Sequence, residues 1–246
     1  MQAVIMAGGK GTRLYPYSAL FPKPLMPLGE MPILELLLRR FKLAGVDEAF
    51  LAVNHLSRLI EAYFGDGAGL GVRLHYRHED KPLGTAGASG AMIDDLKDDF
   101  IVSNGDLLTT LDVAQMARFH EDKGADATVG VFEREVKIDF GLIELDDQCR
   151  MQAYHEKPTT HHFVSMGLYV LNRDAIRPHL RKNEYLDMPN LLQAIRDNGG
   201  DVRCYHEDCT WLDIGRPDDF ARAQEMFRTD RELFLGRPER KLAVAD

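Results

Sequence analysis

Residues 1–14 read Met1-Gln2-Ala3-Val4-Ile5-Met6-Ala7-Gly8-Gly9-Lys10-Gly11-Thr12-Arg13-Leu14. Ala3 to Met6 is a short apolar run, the pattern of a buried strand. It passes at once into a glycine-rich loop whose successive backbone N–H groups suit phosphate. Open α/β sheets bind their ligands at the carboxyl ends of their strands, and this loop stands at such an end.

Working outward, the same alternation continues. After a proline-studded stretch from Pro16 to Pro32, apolar positions recur at helical spacing over 33–43, and Gly45 can end that helix. Helical spacing returns over 57–64 with Ser57 as cap, over 113–120, over 189–195 with Asp187 as cap, and over 218–227. Strand patterns fall at 49–53, 72–76, 100–102, 128–132, 168–171 and 202–205. Segments 141–145 and 151–155 flank the turn signal Asp146-Asp147 and predict an antiparallel pair. The pattern predicts an α/β fold: a mixed, mostly parallel sheet flanked by helices. One domain over 1–227 is expected, followed by a charged, peripheral tail over 228–246.

Composition narrows the function. The chain has 246 residues, 45% of them hydrophobic and 28% charged, with 30 Lys+Arg against 39 Asp+Glu for a formal net charge of −9. A nucleic-acid binder wants a basic footprint and a polybasic membrane binder a basic patch, so neither is expected. No apolar run reaches the roughly 18–20 residues of a membrane span, and the first residues lack a signal-peptide pattern. The cytoplasm is the expected location. Cys149, Cys204 and Cys209 show neither metal-ligand spacing nor an even count for a disulfide framework.

The loop is not a Walker A sequence, and the dinucleotide fingerprint fails because Leu14 stands where its third glycine belongs. What remains is Gly-Gly-x-Gly-Thr-Arg-Leu with Lys23 set in Pro22-Lys23-Pro24. Arg13 offers a fork of donors and Lys23 a point charge; with Lys10 they gather cations in an acidic chain, which points to a polyphosphate.

Together with Phe21-Pro22-Lys23-Pro24-Leu25-Met26-Pro27, this string resembles the signature of the sugar-1-phosphate nucleotidylyltransferases. Four further stretches resemble that family's segments in its order: Pro82 to Ala88 (base), Asn104-Gly105-Asp106 (metal), Glu156-Lys157-Pro158 (sugar phosphate) and Trp211 to Gly215 (metal). The resemblance covers about residues 1 to 227 and implies a Rossmann-like nucleotide-diphospho-sugar transferase fold.

The implied reaction is attack of a sugar 1-phosphate oxygen on the α-phosphorus of a nucleoside triphosphate, with pyrophosphate leaving. The nucleophile is already an anion, so catalysis reduces to positioning and charge stabilisation. The resemblance then assigns roles. Arg13 and Lys23 are the catalytic cations, steadying the triphosphate. Ala7, Gly8, Gly9, Gly11, Thr12, Glu79, Gly84, Thr85 and Asp106 complete the nucleotide site. Asp106 and Asp213 would hold Mg²⁺, a hard cation that takes oxygen ligands and keeps several waters. Gly141, Glu156, Lys157 and Ser165 fall to the sugar phosphate, although relatives carry asparagine where Ser165 stands and a serine hydroxyl reaches less far.

Glu79 bears on the base. An ionised carboxylate only accepts hydrogen bonds, and guanine offers two adjacent N–H donors, so GTP is favoured, with Glu79 or Asp80 as reader. The segments around 84–88 and 211–220 also resemble the GDP-mannose pyrophosphorylase branch. The sugar is not legible. Alternatives are the same reaction with dTTP, UTP, CTP or ATP, a nucleotide-sugar glycosyltransferase, and a non-catalytic nucleotide-binding homologue. Glycosyltransferases use an Asp-x-Asp motif, whereas Leu107-Leu108 follows Asp106 here, and a sensor need not keep both aspartates. Nucleotidyltransferases of molybdopterin or isoprenoid precursors share the opening loop but lack the Pro22-Lys23-Pro24 context. Nineteen residues follow Phe227, too few for a hexapeptide-repeat β-helix, so none is expected. A homodimer is left open.

Overall fold

The apolar run after Gln2 lies inside a sheet that is covered on both faces, which is why it shows no polar alternation. The computed structural model describes residues 1–9, 11, 20–54 and 56–235. The chain begins with β1 (Gln2–Met6), a small ladder of β2 (Pro27–Leu28) and β3 (Met31–Pro32), then α1 (Ile33–Leu43). There follow β4 (Glu48–Val53), α2 (Ser57–Phe64), β5 (Arg73–His78), α3 (Gly84–Met92), β6 (Asp99–Asn104), β7 (Leu107–Thr109) and α4 (Val113–Lys123). The second half runs through β8 (Ala127–Lys137), β9 (Leu142–Leu145), β10 (Met151–His155), β11 (Thr159–Asn172) and α5 (Arg173–Ile176). It ends with α6 (Met188–Asp197), β12 (Val202–Tyr205), β13 (Trp211–Asp213), α7 (Pro217–Thr229) and α8 (Arg231–Leu235).

Seven strands form the main sheet in the order β12-β8-β11-β6-β1-β4-β5. Every neighbouring pair is parallel except those made by β11, which runs against both β6 and β8. The expected mixed, mostly parallel sheet flanked by helices is what forms. Alternation along β1 sends Ala3 and Ile5 to one face and Val4 to the other. The first face packs on Leu34, Leu37, Leu38 and Phe41 of α1, Ile60 of α2 and Met116 of α4. The second packs on Ala86, Ala88 and Met92 of α3 and Leu191 and Ile195 of α6. The antiparallel pair expected around Asp146-Asp147 is the β9–β10 hairpin.

A third apolar cluster lies off the sheet. The β7–β13 ribbon contributes Leu108 and Leu212, α1 turns Ile33 and Leu36 toward it, and Phe227 and Phe234 close it. Phe234 is fully buried, so the folded unit continues past residue 227 and the peripheral tail expected from 228 does not begin there. Arg228, Asp230, Arg231 and Glu232 are exposed, while Phe234 turns into the core.

Of the two expected helix caps, Asp187 stands at the N-cap position of α6 without a side-chain cap bond, and Ser57 is placed differently. Ser57 is the first helical residue of α2, after Leu56 in a left-handed conformation, and makes no cap bond. Asp187 precedes α6 but its carboxylate accepts from the Tyr185 hydroxyl at 2.6 Å and from Thr85 N at 3.4 Å. The first amide of α6 is capped instead from α3, where Thr85 Oγ1 accepts from Met188 N at 2.7 Å.

Candidate functional site

The residues that follow the parallel strands converge. Ala7 after β1 donates its N–H to Ala52 O at 2.8 Å, Glu79 after β5 donates to Val53 O at 3.0 Å, and Gly105 after β6 donates to Met6 O at 3.0 Å. These bonds prolong the ladder and hold the strand ends level. Above them lies a cavity of about 420 Å³. Its lining brings together Ala7, Gly8, Gly9, Gly11, Lys23, Glu79, Gly84, Thr85 and Asp106, nine residues assigned to the nucleotide from sequence. Lys10, Thr12 and Arg13 lie outside the described residues.

Glu79 and Asp80 part company here. Asp80 is exposed, whereas Glu79 lines the cavity with a buried Oε1 that has no hydrogen-bond partner among the described residues. Burial pushes its carboxyl above the ordinary carboxylate range, opposed by the Leu83 amide that donates to it.

Lys23 opens a 3-10 turn after Pro22 and is 8% exposed. Its ammonium bonds Asp106 Oδ2 and stands 3.9 Å from Asp213 Oδ1. The two aspartates come side by side because β7 pairs with β13, placing Asp213 opposite Leu107, next to Asp106. Asp213 Oδ1 also accepts from Gly215 N at 2.9 Å, which fixes the carboxylate in its turn. Two oxygen-donor carboxylates, held together by backbone pairing and still partly exposed, fit a hard divalent cation that takes its other ligands from water and phosphate. Among the described residues no cluster of three or more His, Cys, Asp or Glu side chains is suited to hold a metal, so any ion here would depend on such further oxygens.

A second cavity of about 160 Å³ adjoins the first. It is lined by Asn104, Asp106, Leu107, Ser165, Met166, Gly167, Trp211 and Asp213, and so shares Asn104 and Asp106 with its neighbour. The Trp211 indole donates to Met166 O at 3.1 Å and fixes one wall. Ser165 Oγ lies 2.9 Å from the Tyr169 hydroxyl, just where a bulge in β11 shifts its register against β8.

Gly141, Glu156 and Lys157 line neither cavity; they sit at the exposed β9–β10 hairpin. There the Tyr154 hydroxyl fills the place a side chain on Gly141 would take and donates to Glu156 Oε2 at 2.9 Å. Sequence reading missed Asn54 and gave no separate role to Asn104, quoted only as part of the segment before Asp106; both lie in the first cavity. Asn54 directly follows β4 and Asn104 ends β6, so the carboxyl-end rule could have found them.

The chain is similar to known proteins. The family model described as nucleotidyl transferase matches residues 2–230. The chain is 34% identical over 227 residues to mannose-1-phosphate guanylyltransferase of Mycobacterium tuberculosis, covering 90% of this chain and 63% of that protein. It is 31% identical over 241 residues to a UTP–glucose-1-phosphate uridylyltransferase of Synechocystis, covering 91% of this chain and 62% of that protein. The chain thus spans a little under two thirds of these relatives. The crystal structure of HddC from Yersinia pseudotuberculosis superposes with a TM-score of 0.72 at 24% identity, over 92% of this chain and 99% of that one. At that identity the likeness is one of fold.

Proposed function

Because the chain belongs to the nucleotidyl transferase family, we propose that it transfers a nucleoside monophosphate from GTP to a sugar 1-phosphate, releasing pyrophosphate. The observation that carries this reading is the pair of cavities meeting at Asn104 and Asp106. A nucleotide in the larger and a sugar phosphate in the smaller would bring their phosphates together at that wall.

The glycine-rich loop offers backbone N–H groups to the triphosphate, and Lys23 supplies a cation at the carboxylate pair. Arg13 is assigned the same task by the family signature. A sugar-phosphate oxygen attacks the α-phosphorus, a P–O bond forms, the α–β bridging P–O bond breaks, and its electron pair leaves with pyrophosphate. No proton need move, because the attacking oxygen is an anion at neutral pH. Positioning two polyanions is the main obstacle, and fixed donors aimed at the developing charge lower it. Asp106 and Asp213 would hold Mg²⁺, which when bound supplies further neutralisation of phosphate charge. Gly141, Glu156, Lys157 and Ser165 are proposed contacts of the sugar phosphate, the hairpin trio from outside the two cavities. The cytoplasm is the proposed location of the chain.

For the base, the support is Glu79. Glu79 lines the larger cavity, where its carboxylate could accept from guanine N1–H and N2–H together. The test is pyrophosphate release with Mg²⁺, crossing GTP, UTP, dTTP, CTP and ATP against hexose and heptose 1-phosphates. Release dependent on GTP and one sugar 1-phosphate supports the proposal, and silence across the panel overturns it. Glu79→Gln should lower kcat/KM for GTP by about tenfold, the scale of one hydrogen bond to a charged group. An unchanged preference would remove Glu79 as the reader.

A further inference from the structure

Asn104 has no role in the reading so far, yet it shares with Asp106 the wall common to both cavities. Its amide leans over Gly167. A Cβ on Gly167 would collide with Asn104 Nδ2 and stand 2.9 Å from its Cγ, but an ordinary 3.5 Å from its Cβ. Gly167 has φ +76 and lies in the β11 bulge between Ser165 and Tyr169. Two departures from regular strand, a register shift and a left-handed glycine, thus clear room for one amide beside the second cavity. Bulges recur next to active sites, where they re-aim the chain.

The chemistry suits an anion held beside carboxylates. Phosphate oxygens only accept hydrogen bonds, and Asp106 and Asp213 offer none in return. A neutral amide supplies two N–H donors without being neutralised by those carboxylates. We infer that Asn104 hydrogen-bonds the sugar 1-phosphate through its side-chain amide and orients its attacking oxygen, with Gly167 as the residue that positions that amide. This rests on the second cavity being the sugar-phosphate site.

The experiment measures KM for GTP and for the sugar 1-phosphate that the panel selects. Asn104→Leu keeps the branched shape and loses the donors. It should raise KM for that sugar 1-phosphate about tenfold, as for one lost hydrogen bond to a charged group, with KM for GTP within about twofold. Gly167→Ala should give the same selective rise by displacing the amide. On an Asn104→Ala background, adding Gly167→Ala should leave that KM unchanged, because only the 3.5 Å contact remains. The left-handed alanine would then register in the thermal midpoint alone. Unchanged kinetics in Asn104→Leu would reduce the side chain to packing and overturn the inference. Equal rises in both KM values, or a further sugar-phosphate defect from Gly167→Ala on the Asn104→Ala background, would overturn it too. A wild-type chain silent across the panel removes the underlying reading and this inference together; an active wild type with a normal Asn104→Leu removes this inference alone.

Discussion

Gly84→Ala tests how the nucleotide side of the site is held. Gly84 begins α3 with φ +79, and a Cβ there would stand 2.5 Å from Leu186 O, 2.8 Å from Leu186 C and 2.9 Å from Asp187 Oδ1. These are not yielding neighbours. Leu186 O accepts from Ala86 N at 2.9 Å and Gly87 N at 3.0 Å, and Leu186 N donates to Leu83 O at 2.9 Å. Moving either segment therefore breaks bonds that hold the other. The left-handed backbone costs an alanine about 1–2 kcal/mol and the overpacking about 1–3 kcal/mol more, so the loss should be roughly 2–5 kcal/mol. At about 2–4 °C per kcal/mol for a chain of this size, the thermal midpoint should fall by roughly 4–20 °C. Gly124→Ala is the matched control: φ is +57 there, but nothing lies within 4 Å of the added carbon. It should show the backbone cost alone, about 2–8 °C. Thermal unfolding followed by circular dichroism reads both. A Gly84→Ala midpoint no lower than that of Gly124→Ala would refute the clash with the 186–187 segment.

Asp106→Asn and Asp213→Asn should each lower Mg²⁺-dependent pyrophosphate release by at least about 100-fold, the scale of removing one group that stabilises transition-state charge; near-normal rates in both would refute the cation assignment. Phe234→Ala should cost about 3–5 kcal/mol in urea unfolding, as for a buried aromatic, whereas a loss below about 1 kcal/mol would mean that α8 is ornamental. His120 is buried, with Nδ1 2.9 Å from Thr128 Oγ1, and desolvation holds its pKa below the ordinary histidine value despite the opposing charge of Asp99. The unfolded chain then takes up a proton near pH 6.5 that the folded chain refuses, so stability should fall as pH drops from about 7 toward the folded pKa. His120→Gln should flatten that dependence between about pH 7.5 and 5.5, and parallel curves for the two chains would refute the assignment.

What could be read from sequence follows the physics of each element. Strand β1 and helices α1 and α2 carry apolar periods long enough to show. Helix α3 does not: Gly-Thr-Ala-Gly-Ala-Ser-Gly-Ala-Met has no apolar stripe, and small residues let it approach the 181–186 segment closely. Strands β7 and β13 are three residues each and exist only as a pair, yet that pair sets Asp213 beside Asp106. The motifs named both aspartates; only pairing between distant segments explains why they meet. Thr85 shows the converse, since its hydroxyl oxygen also serves the fold by accepting from Met188 N at the start of α6.

Sheet order supplies the remaining step. Strands β5, β4, β1 and β6 are neighbours, and each is followed at its carboxyl end by a cavity residue: Glu79, Asn54, Ala7 and Gly105. Three strand spacings, roughly 14 Å, therefore separate the acidic residue beyond β5 from the carboxylate beyond β6. On the proposed reading the nucleotide lies across these strands, base toward Glu79 and phosphates over the glycine loop toward Asp106. The antiparallel β11 then enters beside β6, where its bulge carries Ser165 and Gly167 to the far side of Asn104. A wholly parallel sheet could continue the row of strand ends, but β11 presents the middle of a strand at that position. The reversal of one strand therefore makes the second cavity a different kind of site from the first. It is built from a bulge and a ribbon, so its sugar specificity should vary with Ser165, Gly167 and Trp211 independently of the base.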